Sequence, residues 1–350
     1  MFLITLKINM KYSFRNDYSV VAHPLVLKKL LECSSEQNVG YGEDVHTLSA
    51  TKMIREKIGC DDASVHFIVG GTITNLTMIS HILKPYQAVI SCETGHINVH
   101  ETGAVEGTGH KVLTAKGKDG KLLPSEIETI VELHTDMHMV EPKLVYISNT
   151  TETGSVYTRS EIIELYKVCK KHNLYFFLDG ARLASALAAS DLTYKDLAEY
   201  FDAFYIGGTK NGAYFGEALV IINENLKSGI KYHIKNKGAL LAKGFVCSMA
   251  FEVLMAGDLY LEIGKHSNDV ALYLASKLED LGFEFDSYPK SNQLFLKINK
   301  KLAESLMPEF PFEITSKVDE ENLIIRLVTA FDTKKEHCDM LINELKCKMF

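Results

Sequence analysis

The sequence lacks paired cysteines. Its seven cysteines are odd in number and scattered, and no two of them form a C-x-x-C pair. Neither a disulfide framework nor a zinc knuckle is therefore supported, and we expect no metal site. His134 and His138 have the i, i+4 spacing of a helical metal site, but no acid accompanies them in a zinc-protease motif, which favours a surface position. The cysteine pattern predicts a reducing, cytoplasmic location.

An excess of positive charge and a long apolar run are also missing. The net charge is -7, which gives no electrostatic reason to expect nucleic acid or an anionic membrane surface as a partner. The opening segment from Met1 to Leu6 is apolar, but Lys7 interrupts it. It is too short for a signal peptide or a membrane span. Met10 offers a second possible translation start.

The chain has no G-x-G-x-x-G fingerprint, no Gly-Lys-Ser/Thr phosphate loop and no internal repeat. Dinucleotide-binding and P-loop proteins are therefore disfavoured. From about residue 64 to 222, short apolar runs alternate instead with helical patterns, which is the βαβ rhythm of a mostly parallel sheet. The predicted strands are 65–69, 88–91, 143–147, 174–178, 203–206 and 218–222. The predicted helices between them are 72–83, 124–133 and 159–172.

Length and rhythm together predict two domains. At 350 residues the chain exceeds the size at which one core keeps growing. After Gly257 the pattern changes to a long helix, then to strands 283–285, 293–298 and 322–328, and then to a last helix from Thr333. Two helices, 23–33 and 47–58, precede the sheet. We therefore predict a large domain of residues 23–257 and a small α+β domain formed by 1–22 and 258–350.

Two charged residues follow neighbouring predicted strands. Asp179 ends an apolar run, and Lys210 follows the next strand in a glycine-rich stretch. In open α/β sheets, ligands bind at the carboxyl ends of the strands. Alone, Asp179 has an ordinary explanation as a helix cap and Lys210 as a solvated loop residue. Together they match two needs of pyridoxal-5′-phosphate (PLP), an acid for its ring nitrogen and an imine-forming lysine.

Three further features extend this pattern. Gly71 and Thr72 open a helix after the first strand, where backbone amides and the helix dipole favour a phosphate. His96 follows the second strand, and its ring has the shape to lie flat on a pyridine. Arg326 lies in an apolar strand, where a cation needs an anionic partner such as a substrate carboxylate.

This ordered set of motifs resembles the threonine aldolase family, a group of PLP-dependent β-eliminating lyases. The resemblance spans nearly the whole chain, from Arg15 to the last helix. It implies the α/β aspartate aminotransferase fold of PLP-dependent transferases, with a mostly parallel, seven-stranded-type sheet flanked by helices and a smaller α+β domain. It also implies a homodimer or homotetramer with active sites between subunits. The motifs are Tyr41-Gly42-Glu43-Asp44, Gly71-Thr72, His96, Asp179-Gly180-Ala181-Arg182, Lys210 and Arg326-Leu327-Val328-Thr329.

The resemblance also implies roles for individual residues. Lys210 would hold PLP as a Schiff base, Asp179 would pair with the ring nitrogen, and His96 would stack on the ring and take part in catalysis. The other residues implied for cofactor binding are Gly71, Thr72, Arg182 and Thr209. The substrate carboxylate would be bound by Asn16, Arg182 and Arg326. Two further candidates are Glu101 and Tyr41.

Four positions depart from the family pattern. Asn16 stands where the family has a serine, and Asn211 follows the lysine where a glycine is usual. Ser148 and Thr151 stand where the family has a glutamate and a histidine, the latter near the substrate hydroxyl. The activity implied is retro-aldol cleavage of L-threonine or L-allo-threonine to glycine and an aldehyde, with His96 as the candidate base. PLP-dependent β-elimination or transamination of another small amino acid is the alternative.

Overall fold

The computed structural model describes residues 10–349, which form two compact units. One unit spans residues 21–264, and the other joins residues 10–20 to residues 265–349. The sequence prediction divides the chain at 22/23 and 257/258. The apolar segment from Met1 to Leu6 lies outside the described residues.

The larger unit is built on a sheet of seven strands. These are β1 (Ser64–Ile68), β2 (Gln87–Cys92), β3 (Lys111–Ala115), β4 (Glu141–Ser148), β5 (Tyr175–Asp179), β6 (Ala203–Gly207) and β7 (Glu217–Ile221). Their order in the sheet is β1-β7-β6-β5-β4-β2-β3. Strand β7 is antiparallel to both neighbours, whereas the other pairs are parallel. The predicted mostly parallel sheet is therefore confirmed.

Strand β3 was missing from the sequence prediction. It lies at the edge of the sheet and pairs with β2 alone. Only Leu113 and Ala115 of its five residues are buried, so its apolar signal is weak. By contrast, every residue of β2, β6 and β7 is buried, which is why these strands are almost continuously apolar in sequence.

Ten helices of the larger unit accompany this sheet. They are α1 (Pro24–Glu32), α2 (Val45–Ile58), α3 (Gly71–Ile82), α4 (His96–Val99), α5 (Pro124–Leu133), α6 (Arg159–Lys171), α7 (Leu183–Ala188), α8 (Tyr194–Tyr200), α9 (Ile230–Asn236) and α10 (Phe245–Leu254). Helix starts follow local chemistry. Asp44 caps α2 by accepting from the Thr47 amide, and Thr158 with Glu161 forms a capping box at α6.

The smaller unit contains an antiparallel sheet. Its strands are β8 (Glu284–Ser287), β9 (Gln293–Asn299), β10 (Glu313–Lys317) and β11 (Asn322–Val328), in the order β10-β11-β9-β8. The last helices of the chain are α11 (Leu259–Asp280), which begins in the larger unit, α12 (Lys300–Leu306) and α13 (Lys335–Met349). Phe14, Leu296 and Phe310 belong to the apolar core of this unit. Strand β10, which is largely exposed, was not predicted.

Within residues 10–349, no helix combines the length and the apolar character needed to cross a membrane.

Candidate active site

Asp179 is the last residue of β5 and is only 3% exposed. Burial raises the pKa of a carboxyl group, but the positive charge of His96 and the surrounding donors outweigh burial, so the pKa of Asp179 is lowered. A carboxylate that stays ionised in a buried site can stabilise a protonated ring nitrogen. Its donors are the hydroxyls of Tyr146 (2.6 Å) and Tyr205, the Asn75 side-chain amide (3.0 Å) and the Ala181 backbone N–H (3.0 Å).

A series of hydrogen bonds connects Asp179 to His96. The side-chain amide of Asn75 donates to Asp179 and also to Glu101, at 2.7 Å. Glu101 Oε1 lies 2.8 Å from His96 Nδ1. The same Oε1 accepts from Asn75, so here too it acts as the acceptor, Nδ1 carries the hydrogen, and Nε2 is left to exchange a proton with a ligand.

The same neighbours set the charge state of His96. Burial lowers the pKa of this imidazole, but the hydrogen bond to Glu101 and the negative charge of Asp179 outweigh burial and raise it above its ordinary value. The positive charge of Lys210 acts in the opposite direction. The hydrogen bonds therefore bring the predicted residues Asp179, Glu101 and His96 to one site.

Lys210 lies on the turn between β6 and β7, which form a hairpin in which Gly207 pairs with Glu217. Asn211, the next residue, donates to the backbone oxygen of Gly207 at 2.7 Å and to that of Ala181 at 3.0 Å. The asparagine that replaces the usual glycine thus connects the lysine turn to the segment after β5. His96, which follows β2, begins the short helix α4.

The predicted phosphate-binding residues open helix α3. Gly70 is its N-cap and, as a glycine, has no side chain with which to cap the helix start. A Cβ on Gly71 would lie 3.1 Å from the Tyr205 hydroxyl, which donates to Asp179. Thr72 is the second residue of the helix. A helix start of this kind, close to the buried acid, can bind a phosphate.

Gly180 shows why a glycine follows Asp179. A Cβ at this position would lie 2.0 Å from the backbone oxygen of Tyr205, a distance that real atoms do not adopt. We expect Gly180→Ala to push β5 and β6 apart and to lower the free energy of unfolding by roughly 1–3 kcal/mol. Urea titration measures this effect. Gly107→Ala is the matched control, since nothing lies within 4 Å of its added Cβ. Equal midpoints for both variants would contradict the prediction.

Sequence reasoning missed two carboxylates of the larger unit, the half-buried Glu152 and the buried Glu217. Glu152 accepts from the His96 backbone N–H at 3.1 Å and from the Ser148 hydroxyl at 2.7 Å, and burial raises its pKa. Glu217, at the start of β7, is 4% exposed. The signal for Glu217 was available, because a lone acid opens an otherwise apolar strand. Glu152 lies in a loop without a periodic pattern and offered no comparable signal.

Two threonines from the sequence analysis, Thr209 and Thr151, form hydrogen bonds with residues close to them in sequence. Thr209 donates to Glu217 at 2.8 Å and accepts from the Gly216 amide at 3.0 Å. The Thr151 hydroxyl lies 3.0 Å from that of Thr153 and 2.9 Å from that of Ser155, within its own loop. A role of Thr209 toward the cofactor stays a prediction.

Two further predicted residues, Arg182 and Tyr41, lie in the larger unit. Arg182 is half-buried at the N-cap of α7, three residues after Asp179. The exposed Tyr41 has left-handed backbone geometry (φ 62°), and its ring centroid lies 4.8 Å from Lys235 Nζ. Their roles stay predictions.

Asn16 and Arg326 belong to the smaller unit. Asn16 Oδ1 accepts from the Tyr18 amide at 3.0 Å and from the Ser19 hydroxyl at 2.9 Å. Arg326 lies in β11, opposite Phe295 of β9. The predicted role of both residues in binding a substrate carboxylate stays a hypothesis.

Cys33, Glu36 and His46 form a group with metal-ligating atoms within 4.8 Å of one another. His46 lies 2.7 Å from both Glu36 and Glu252, and Lys29 Nζ lies 3.1 Å from Glu252. Lys29 brings a positive charge to Glu252, and His46 joins Glu252 to Glu36, so these side chains form a network of ion pairs and hydrogen bonds.

Known proteins resemble this chain in both sequence and structure. The sequence model of the beta-eliminating lyase family matches residues 21–301. A low specificity L-threonine aldolase from Pseudomonas sp. (strain NCIMB 10558) is 33% identical over 274 residues, which cover 76% of this chain and 78% of that protein. The structure of Leishmania major threonine aldolase has a TM-score of 0.95 at 45% identity and covers 97% of this chain and 100% of its own.

More distant structures share the fold alone. One is an alanine–glyoxylate aminotransferase from Nostoc sp., with a TM-score of 0.69 at 15% identity over 100% of this chain and 98% of its own. The fold and the strand-end acid and lysine define an enzyme of the aspartate aminotransferase fold, as the sequence predicts. The chain belongs to the threonine aldolase family, within the PLP-dependent beta-eliminating lyases. The predictions of family, fold and lyase class are confirmed.

Proposed function

We propose that the protein cleaves L-threonine, L-allo-threonine or a related β-hydroxy-α-amino acid to glycine and an aldehyde. The observation that carries the proposal is the hydrogen-bonded series Asp179, Asn75, Glu101 and His96. The Lys210 turn is joined to the segment after Asp179 by the hydrogen bond from Asn211 to Ala181. The site combines an ionised acid, a proton acceptor and a lysine at one end of the sheet. The relatives from Pseudomonas sp. and Leishmania major are threonine aldolases.

The residues of the site fit PLP, the cofactor of the family. Asp179 offers an ionised partner to the ring nitrogen, and the start of α3 at Gly71 offers backbone donors to the phosphate. Asn75 Oδ1 and Glu101 Oε2 are buried and have no hydrogen-bond partner among the described residues, as expected where a polar group completes the site. When bound, PLP supplies the electron sink for the electron pair released as a bond to Cα breaks.

Cationic and amide side chains would orient the substrate. Arg182 and Arg326 are the candidates to bind the substrate carboxylate, through paired N–H groups, with Asn16 as a further donor. A fixed carboxylate fixes the direction of the Cα–Cβ bond, and that direction selects which bond breaks.

His96 is the candidate proton acceptor. Its Nδ1–H is directed to Glu101, so Nε2 is the atom that would take the proton from the substrate β-hydroxyl. Loss of this proton converts the hydroxyl into the carbonyl of the departing aldehyde. A proton returned to Cα completes glycine.

The Lys210→Ala variant tests the proposal. We expect wild-type protein to develop the absorption band of lysine-bound PLP on addition of the cofactor and to release glycine from L-threonine. Because the variant lacks the amine, both signals should disappear, whereas Lys195→Ala, at an exposed lysine, should keep both. A wild-type protein without the band would overturn the PLP assignment. Ammonia and pyruvate from serine, without glycine from threonine, would indicate β-elimination instead.

We also infer a homodimer or homotetramer with active sites at the interface. Large apolar side chains are exposed on one segment of the larger unit, at Val39, Tyr41, Val45 and Leu48. Exposed apolar patches are typical of subunit interfaces. Light scattering on the purified protein gives the subunit count.

A cytoplasmic location is part of the same proposal. All seven cysteines are free thiols, and five of them are buried. Free thiols persist in a reducing compartment. Imaging of the tagged chain in its native cell tests this assignment.

A further inference from the structure

Glu217 is a buried carboxylate that contacts the two residues before Lys210. Its Oε2 accepts from the backbone N–H of Gly208 and its Oε1 from the hydroxyl of Thr209, both at 2.8 Å. Glu217 pairs with Gly207 across the β6–β7 hairpin, so the side chain is directed from the rigid strand into the turn. One carboxylate therefore holds the segment that leads into the lysine.

The backbone of the turn reinforces this arrangement. The amides of Gly208 and Thr209 both lie 3.1 Å from the Gly216 oxygen to which they donate, and the Gly216 amide donates to the Thr209 hydroxyl oxygen. Since Thr209 accepts from Gly216, its single hydroxyl hydrogen points to Glu217. The Thr209 hydroxyl therefore helps to fix the conformation of the turn. Its hydrogen is already engaged in the bond to Glu217.

Glu217 also acts on Lys210 through its charge. Burial raises the pKa of Glu217 to about 7, and the Thr209 hydroxyl, the Gly208 amide and the positive charge of Lys210 oppose that rise. The attraction is mutual, because a cation that stabilises a carboxylate is itself stabilised by it. The other titratable groups that interact electrostatically with Glu217 are Asp179, Tyr205, Cys247 and Tyr260, and His96 interacts in the same way with Lys210.

We propose that Glu217 is a positioning residue for Lys210, which holds the turn and supplies the negative charge that stabilises a proton on the lysine nitrogen. The inference rests on the proposed function, since it concerns the lysine that would bind PLP. With that nitrogen protonated, the carbon bound to it would be attacked more readily by a substrate amine. Glu217 would thereby favour substrate entry without touching the substrate.

The test is a pH titration of the absorption band of lysine-bound PLP in the holoenzyme. Glu217→Gln keeps the side-chain shape and removes the charge, so we expect the midpoint for loss of the proton to fall by about 1 pH unit. Glu224→Gln, which removes the same charge from an exposed position, should leave the midpoint unchanged. A residue that served only as a structural support would lower stability without moving the midpoint.

The outcomes separate the two proposals. A wild-type protein without the band overturns the assignment of PLP to Lys210, whatever Glu217 does. A band in both proteins with equal midpoints overturns the role of Glu217 alone. If the glutamine variant gives no soluble protein, Thr209→Val supplies the test. Loss of the hydroxyl removes a donor from Glu217, which then binds its proton at higher pH, so the midpoint should fall by a smaller amount. An unchanged midpoint in Thr209→Val would then overturn the role.

Discussion

Asp179→Asn, fully loaded with PLP, is expected to cleave L-threonine with a kcat lower by roughly 10²–10³-fold. Asparagine has nearly the shape of aspartate, but it carries no charge. The Tyr146 and Tyr205 hydroxyls, which now donate to an ionised carboxylate, keep only a neutral acceptor. Without the negative charge the ring nitrogen loses its proton more readily, and the cofactor becomes a weaker electron sink.

Glycine release at saturating PLP and saturating L-threonine measures this effect, and the absorption spectrum shows that the variant is loaded. Asp202→Asn is the matched control. Asp202 is another buried carboxylate, but it accepts from the Phe176 amide at 2.8 Å and from the Asn223 side chain at 2.7 Å, near the other end of β5. We expect this control to lose stability and keep its kcat. A near-wild-type kcat in loaded Asp179→Asn would remove Asp179 from the mechanism.

His96→Phe is expected to lower kcat by roughly 10²–10⁴-fold. Phenylalanine keeps an aromatic ring for stacking on the cofactor but has no atom that accepts a proton. PLP loading, followed by the absorption band, should therefore change little while turnover falls. A variant that loses affinity for PLP yet retains kcat when loaded would assign His96 to stacking alone.

The pH dependence of kcat tests the same residue in a second way. His96 accepts a proton only when neutral, and its pKa is raised above the ordinary value, mainly because the Glu101 hydrogen bond and the Asp179 charge outweigh burial. Activity should therefore rise with pH, with a midpoint above that of an ordinary imidazole, and be lost below it.

Glu101→Gln should shift this midpoint to lower pH, because the hydrogen-bonded charge is gone. Glu106→Gln, at a nearby exposed position, should not shift it. If the acid limb persists unchanged in His96→Phe, the base is another group, and Glu152, which accepts from the His96 backbone N–H, is the next residue to substitute.

The elements that position the site were predictable because their physics is local. Strands buried on both faces are apolar runs, so β5 and β6 could be recognised in sequence, and with them Asp179 and Lys210 at their ends. The start of α3 after Gly70 follows from glycine and helix chemistry. The edge strands β3 and β10 were not predicted because their exposed residues interrupt the apolar run.

The connections between site residues were not predictable, because they join distant parts of the chain. Glu101 was a weak candidate from its place near His96, yet its position depends on Asn75, which lies 26 residues before it. Asn75 looked like any polar residue in a helix, and nothing local marks it as the donor shared by two carboxylates. Glu217 was passed over for a different reason. The acid at the start of an apolar strand is visible in the sequence, but its hydrogen bonds to Gly208 and Thr209 appear only in the folded hairpin.

The hydrogen bond from Gly208 to Glu217, in the hairpin that carries Lys210, joins residues close in sequence. The hydrogen bond from Asn75 to Asp179 joins distant ones. Gly208 and Glu217 are 9 residues apart, whereas Asn75 and Asp179 are 104 residues apart. The entropy lost on closing a loop grows with its length, and long-range contacts form late in folding. The lysine turn can therefore take shape while the chain is still incomplete, and the pocket that receives the cofactor forms only when α3 meets β5. If PLP binds this pocket alone, it would stabilise the finished fold relative to the incomplete one.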